Sequence, residues 1–278
     1  MRILQLSDPH LLADPTALCR GRPPLGLLRH GLDTALEQLR RDGTPPDHLL
    51  ISGDLCQDES WGGYVRLREL LVTRPGLGTP ALLPGNHDHG LRLRAALGRQ
   101  ALLPPARLTL GRGAGAWRLL LLDSHCPGRL GGRLGAVQLA WLVRELERAA
   151  TEGAWALLAV HHPPSPIGDA ALDAIALEDG DALLALVAAR PTVRGLVFGH
   201  VHQHWQGWLP GLPGRPLLGC PSTLASFRPV QPCPLGRADD PGGRLLELGP
   251  AGEIRHRLLR WELPVAPSLP AGPAAPPP

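Results

Sequence analysis

Five short apolar runs in this chain end abruptly in side chains that can bind metal ions or move protons. Leu4-Gln5-Leu6 runs into Ser7-Asp8-Pro9-His10, Leu49-Leu50-Ile51 into Ser52-Gly53-Asp54, and Leu82-Leu83 into Pro84-Gly85-Asn86-His87-Asp88. Residues 155 to 160 end at His161, and residues 193 to 198 at Gly199-His200-Val201-His202. Endings of this kind put chemistry at the rim of a sheet, where active-site groups of open α/β folds collect. Together they supply the carboxylates of Asp8 and Asp54, the amide oxygen of Asn86, and the imidazoles of His10, His161, His200 and His202, besides that of His87. Imidazole mixed with hard oxygen favours Fe, Mn or Zn over Ca or Mg, and the donors are too many for one tetrahedral ion. Two ions are expected. Alternate residues on an extended chain point the same way, so Asp8 with His10, and His200 with His202, are each expected to present two groups to one site.

Two ions about 3.5–4 Å apart could share the Asp54 carboxylate and a bridging hydroxide, giving a nucleophile at neutral pH for in-line attack at phosphorus. His87 need not be a ligand. It is expected to protonate the leaving oxygen, with Asp88 as the partner that fixes its tautomer and raises its basicity. Taken singly, Asp-x-His is an ordinary loop and Gly-Asp an ordinary turn or cap; the order of all five groups, each behind an apolar strand, is what points to a site. His48, His89, His125, His162 and His204 are read as satisfied surface or core imidazoles, His162 being the one adjacent to the constellation.

The elements that must carry these groups alternate. A strand over 2–6 is followed by an amphipathic helix through Leu28, Leu32, Ala35, Leu36 and Leu39, a strand at 49–51, a helix over 60–73 and the strand before Asn86. That alternation predicts an α/β fold with a largely parallel first sheet. Strands at 108–110 and 117–122 flank Gly111-Arg112-Gly113-Ala114-Gly115 and read as a hairpin; a dinucleotide-binding fingerprint would need a helix after the glycines. Helices over 137–150 and 181–189 alternate with strands at 155–160 and 193–198. Short strands near 216–218, 244–248 and 254–259, with Gly-Pro turns between them, predict a second sheet richer in antiparallel pairing. One domain over 1–263 is expected, followed by a disordered Pro/Ala-rich tail over 264–278.

The totals narrow the class. With 278 residues the chain can bury a substantial core unaided, and 28 basic against 25 acidic residues leave +3, too little to argue for nucleic acid or an acidic membrane surface. Every basic residue is Arg and none is Lys, which, with 34 Gly and 32 Pro, reads as the bias of a GC-rich coding sequence, so scattered arginines carry little functional weight. Five cysteines without a C-x-x-C pair indicate neither a disulfide framework nor a thiolate zinc site. Candidate ligands appear by Asp8, which leaves no room for a signal peptide, and no apolar run approaches a membrane span. A cytoplasmic protein is expected.

The five blocks Asp-x-His, Gly-Asp, Gly-Asn-His-Asp, His and Gly-His-x-His resemble those of the calcineurin-like metallophosphoesterases. Within that superfamily the chain is similar, from Leu4 to about Leu259, to bacterial class III 3′,5′-cyclic-nucleotide phosphodiesterases of the CpdA type. Gly53-Asp54-Leu55-Cys56-Gln57-Asp58, Leu122-Asp123-Ser124, His161-His162-Pro163-Pro164, Gly199-His200-Val201-His202-Gln203 and Pro221-Ser222-Thr223 carry that likeness. The resemblance implies a four-layer α/β/β/α sandwich of two mixed sheets. It implies Asp8, His10 and His202 on a first metal, Asn86, His161 and His200 on a second, Asp54 bridging, and Asn86, His87 and His202 toward the substrate phosphate. The implied reaction is hydrolysis of 3′,5′-cyclic AMP to 5′-AMP, with no nucleic-acid or membrane partner and room for a homodimer. Another phosphoester substrate, such as a 2′,3′-cyclic nucleotide, a nucleotide-sugar lipid or a phosphoprotein, would use the same ligands. A non-catalytic scaffold would not need His87. Relatives of this kind tend to read Pro-Ser-Thr-Cys-x-Gln-Phe-x-Pro where this chain has Leu224 and Ser226; if that segment shapes the nucleoside pocket or a subunit contact, the departures bear on base preference and affinity and not on the metal chemistry.

Overall fold

The computed structural model describes residues 1–264 except Pro75 and Arg99; beyond Pro264, the expected tail lies outside the described residues. The chain runs β1 (Arg2–Leu6), α1 (Pro24–Arg41), β2 (His48–Ile51), α2 (Trp61–Val72), β3 (Ala81–Leu82), α3 (Gly90–Leu97), β4 (Ala106–Leu110) and β5 (Trp117–Leu121). It continues through α4 (Gly135–Thr151), β6 (Trp155–Ala159), α5 (Ala170–Asp173), α6 (Gly180–Ala188), β7 (Val193–Phe198), β8 (Gln206–Leu209), β9 (Leu212–Gly219), β10 (Gly242–Leu248) and β11 (Ile254–Arg260).

Two mixed sheets face each other. The first has the order β11-β10-β1-β2-β3 and the second β4-β5-β6-β7-β9-β8. Ile3, Leu50, Leu83, Leu119, Leu157, Val197 and Leu246 interleave between them. The opposite face of the first sheet carries Leu4, Leu6, Leu49 and Ile51 against Leu28, Leu32, Ala35 and Leu39 of α1 and Leu67 and Leu70 of α2. The opposite face of the second carries Leu120 and Leu158 against Leu142 and Leu146 of α4 and Leu183 and Val187 of α6. The alternation of apolar residues to both faces of β1 and β6 requires cover on both sides, which yields four layers. Each fully buried leucine contributes about 1.5–3 kcal/mol to holding its helix down.

The last strands are distributed differently from the sequence expectation. They do not make a sheet of their own: β9 lies parallel to β7 and pairs antiparallel with β8, whereas β10 and β11 extend the first sheet antiparallel beyond β1. The second sheet begins instead with the β4-β5 hairpin across the glycine loop and is parallel from β5 to β9. Strand β8 and helix α3 were not expected. Leu91 on α3 and Trp208 on β8 are exposed, which blurs the apolar period by which such elements are read. No helix among the described residues is long and apolar enough to cross a membrane.

Candidate metal centre

The seven expected donors and His87 converge at the C-terminal ends of β1, β2, β3, β6 and β7. Donor atoms of Asp8, His10, Asp54 and His202 all lie within 4.8 Å of one another, and all four residues are buried. His10 Nε2 is 3.0 Å from His202 Nε2, which is 3.5 Å from Asp8 Oδ1. On the other side, Asn86 Oδ1 lies 3.0 Å from His200 Nδ1. Asp54 faces both groups: its Oδ2 is 3.7 Å from His10 Nε2, and its Oδ1 is 3.5 Å from His161 Nε2.

The backbone reaches this arrangement by a route that the extended-chain argument does not describe. Asp8 (φ 52°), His10 (φ 49°), Asp54 (φ 49°), His200 (φ 66°) and His202 (φ 52°) are five of the seven non-glycine residues with positive φ among the described residues. Each such residue costs on the order of 1–3 kcal/mol and persists only where its surroundings over-determine it. The chain curls left-handed as it leaves each strand. His200 and His202 therefore do not serve one group of donors: His200 stands beside Asn86, His202 beside Asp8 and His10. Ser222 holds the curl after β1 by donating to Asp8 O at 2.8 Å, and Thr223 N donates to Ser7 O at 3.0 Å. Gly85 allows the close approach of the loops; a Cβ there would collide with the Asp54 carboxylate and stand 2.6 Å from His161 Nε2.

The donor set suits cations. His161 Nδ1 donates to Ser52 O at 2.7 Å and His202 Nδ1 to Ala225 O at 2.8 Å, so each ring aims a bare Nε2 inward. Asp8 Oδ2 and His161 Nε2 are buried with no hydrogen-bond partner. Burial, then the neighbouring Asp54 carboxylate, pushes the Asp8 carboxyl well above its usual range. Burial also pushes Asp54 upward, but its imidazole neighbours, His161 first, and the backbone N–H it accepts from His87 outweigh it and keep its carboxyl below the usual carboxylate range. Burial lowers His10 to about 4 and His200 to about 3, and depresses His161 and His202, so all four rings are neutral and able to ligate. Two carboxylates in one buried cluster with bare imidazole nitrogens are fully satisfied only by positive charge.

His162 also lies beside His161 and His200. Both of its nitrogens are used by the protein, Nδ1 with Ser124 Oγ at 2.8 Å and Nε2 with Leu130 O at 3.0 Å, as befits a satisfied core imidazole. His89 caps α3 through Arg92 N.

Asp88 has a different position from the one expected. It makes no hydrogen bond to His87 among the described contacts; its carboxylate accepts from Leu55 N (2.9 Å), Cys56 N (3.0 Å), Gly85 N (2.8 Å) and the Tyr64 hydroxyl (3.0 Å). It thereby staples the loop carrying Asp54 to the loop carrying Asn86. Burial and the Asp54 charge raise its carboxyl to about 7. The partner of His87 is Gln57, whose Nε2 donates to His87 Nδ1 at 3.1 Å, while His87 N donates to Asp54 Oδ1 at 3.0 Å. Tyr64 has no place among the sequence expectations and Gln57 only one inside the Gly53-Asp58 block, with no role of its own; His125, expected as a satisfied imidazole, donates from Nδ1 to Gly85 O at 2.9 Å. Gln57 lies three residues after Asp54, on the segment that links β2 to α2, which is the one available signal.

Comparison with known proteins agrees with this geometry. The chain is 48% identical over 265 residues, covering 94% of it and 96% of the relative, to a probable cyclic nucleotide phosphodiesterase of Synechococcus sp. (strain WH7803). It is 34% identical over 268 residues, covering 93% of it and 90% of the relative, to the 3′,5′-cyclic adenosine monophosphate phosphodiesterase CpdA of Escherichia coli (strain K12). In fold it resembles a dimetal phosphatase from Danio rerio, with a TM-score of 0.60 at 13% identity over 94% of this chain and 99% of that one. Residues 1–204 match the sequence profile of the calcineurin-like phosphoesterases, a span that runs from β1 past the last expected donor, His202, and the chain belongs to that family.

Proposed function

We propose that this chain is a metal-dependent phosphodiesterase that hydrolyses 3′,5′-cyclic AMP to 5′-AMP. The observation that carries the proposal is the division of the donors into two groups with one oxygen of Asp54 turned to each. Asp8, His10 and His202 would hold one ion and Asn86, His161 and His200 the other, with Asp54 shared; imidazole and carboxylate together suit Fe, Mn or Zn. Bound there, the ions would polarise the phosphodiester and lower the pKa of the attacking water.

The chain's own residues account for the rest. Gln57 donates to His87 Nδ1, so the proton of the neutral ring resides on Nε2, the nitrogen turned away from Gln57. As the bond from phosphorus to O3′ breaks, that proton passes to the leaving oxygen. Asn86, His87 and His202 orient the phosphate. Asp88 holds the Asp54 and Asn86 loops at a fixed separation through its four acceptor contacts. The names of the relatives from Synechococcus and Escherichia coli support the choice of substrate.

The test is steady-state hydrolysis of 3′,5′-cyclic AMP by manganese-loaded protein beside 2′,3′-cyclic AMP and an aryl phosphodiester, with Asn86→Ala as control. The highest kcat/KM on 3′,5′-cyclic AMP, a control with little turnover and one fewer bound ion per chain are expected. Turnover of the aryl ester without 3′,5′-cyclic AMP would overturn the substrate assignment.

A further inference from the structure

Arg20 is a sixth non-glycine residue of positive φ (51°), and it stands at the tip of a tight reversal. Cys19 N donates to Arg22 O at 2.9 Å and Arg22 N to Cys19 O at 3.0 Å, with Gly21 also at positive φ (73°). Turns with both central residues in this region ordinarily take Asn, Asp or Gly, so an arginine there is held against its preference. The turn is anchored from below. Cys19 packs with Leu27 and Leu224 in a small separate core, and Arg22 Nη1 donates to Leu224 O at 3.0 Å. That is the segment whose departures drew attention in the sequence, and both departures point inward. Leu224 is fully buried, and Ser226 Oγ donates to Asp240 O while accepting from Arg260. Phe227, which the segment retains, faces the site.

The Phe227 ring stacks on that of His202 with centroids 4.1 Å apart and planes 4° from parallel, and the Arg20 guanidinium lies over Phe227 at 4.8 Å from its centroid. Arg20 itself is exposed, and no carboxylate or carbonyl pairs with it among the described residues. The layers thus run from a candidate ligand outward, imidazole, phenyl, guanidinium, and end in a planar cation open to solvent.

The leaving oxygen belongs to the same side. His87 sits edge-on to His10 with ring centroids 5.2 Å apart, and its partner Gln57 accepts at Oε1 from Cys19 Sγ at 3.7 Å, the residue before Arg20. If His87 protonates O3′, the ribose and its base extend toward the 19–22 turn. We propose that Arg20, backed by Phe227, is the platform on which the nucleobase of the substrate stacks, and hence a specificity-determining residue. This rests on the cyclic-nucleotide reading and deepens it: the preferred class is a purine 3′,5′-cyclic nucleotide, because the larger ring covers more of a planar cation.

The experiment uses the full-length manganese-loaded protein and its Arg20→Ala, Arg20→Lys and Arg94→Ala variants. Substrates are 3′,5′-cyclic AMP, 3′,5′-cyclic CMP and methyl p-nitrophenyl phosphate, which has no base. Stacking of one base corresponds to roughly 5- to 150-fold in affinity, so Arg20→Ala should raise KM for cyclic AMP about ten-fold at little cost in kcat and narrow the purine preference. Methyl p-nitrophenyl phosphate should be unaffected, and lysine, which keeps the charge but not the plane, should not restore KM. Arg94 lines a different cavity, of about 440 Å³, beside His89 and His125. A selective KM rise in Arg94→Ala with none in Arg20→Ala would put the base there and overturn the proposal. So would full rescue by lysine, or an equal loss on the base-free ester, which would make Arg20 a contact to the phosphate. Wild-type protein that cleaves the aryl ester but no nucleoside phosphodiester would instead overturn the cyclic-nucleotide reading itself, and this inference with it.

Discussion

Replacing Gln57 by leucine removes the donor to His87 Nδ1 and the weak acceptor of the Cys19 thiol, while the neighbouring Asp54 and Asn86 loops stay held by Asp88. The lost bond is a neutral one of 3.1 Å at a partly buried side chain, for which the net contribution is about 0.5–1.5 kcal/mol. At about 1.36 kcal/mol per ten-fold, the population of His87 rings with the proton on the correct nitrogen and the correct orientation falls roughly 2- to 13-fold. The ceiling is set by the group itself, since deleting a general acid costs about 10²–10⁴ in rate. Gln57→Leu should therefore lower kcat for cyclic AMP by about 2- to 13-fold, and His87→Ala by much more, with two ions per chain retained in both. The discriminating assay varies the leaving group. The 3′-alkoxide of cyclic AMP needs a proton, whereas p-nitrophenolate departs without one, so Gln57→Leu should hydrolyse methyl p-nitrophenyl phosphate at close to the wild-type rate, and His87→Ala should lose much less on it than on cyclic AMP, only the share due to its phosphate contact. An equal loss of kcat on the two substrates would refute the assignment of His87 as acid and of Gln57 as the residue that positions it.

Asp88→Asn should be costly to the fold as well as to the rate. Its carboxylate accepts three backbone N–H groups and the Tyr64 hydroxyl, and an amide NH2 would turn donor against donor, so a loss of about 2–4 kcal/mol is expected in chemical denaturation, with weaker binding of both ions by metal analysis. His256, on β11, accepts at Nδ1 from Arg244 at 3.0 Å, and burial and the Arg244 charge lower it to about 4 from 6.5. A base whose folded pKa is depressed contributes stability that is complete above 6.5 and is lost as the pH falls through 4, so the Tm difference between wild type and His256→Gln should shrink across that window.

Much of the site could be read from the chain because ligand chemistry is local. A carboxylate, an amide and several imidazoles, each directly after an apolar run, announce themselves without knowledge of what packs where. The residues that were missed act across long separations. Gln57 and His87 are 30 positions apart, Tyr64 and Asp88 are 24, and neither a Gln nor a Tyr is unusual enough to reveal its partner. Asp88 was noticed and given the wrong neighbour, since adjacency in sequence suggested His87 while the turn at Pro84-Gly85 directs the carboxylate back under the loop. In the fold, the parallel order of β1, β2 and β3 follows from the intervening helices, whereas the assignment of β9 to one sheet and β10 to the other depends on which edge was left open.

The pairing of β1 with β10 brings together two strands that lie far apart in sequence: Arg2 lies opposite Glu247, 245 residues away. During synthesis β1 waits for that neighbour for roughly 12–50 s at about 5–20 residues per second, with one edge able to pair elsewhere. Asp8 and His10, at the tip of β1, are held from one side by the Asp54 loop, Asp8 N donating to Gly53 O and His10 N to Asp54 O, and the Asp8 turn gains its second brace only when Ser222 and Thr223 have been made. A nascent chain that has reached residue 202 therefore carries every proposed ligand but lacks β10 beside β1 and the Ser222 brace under Asp8, so truncation after residue 204 should weaken ion binding, which metal analysis of the truncated chain would read.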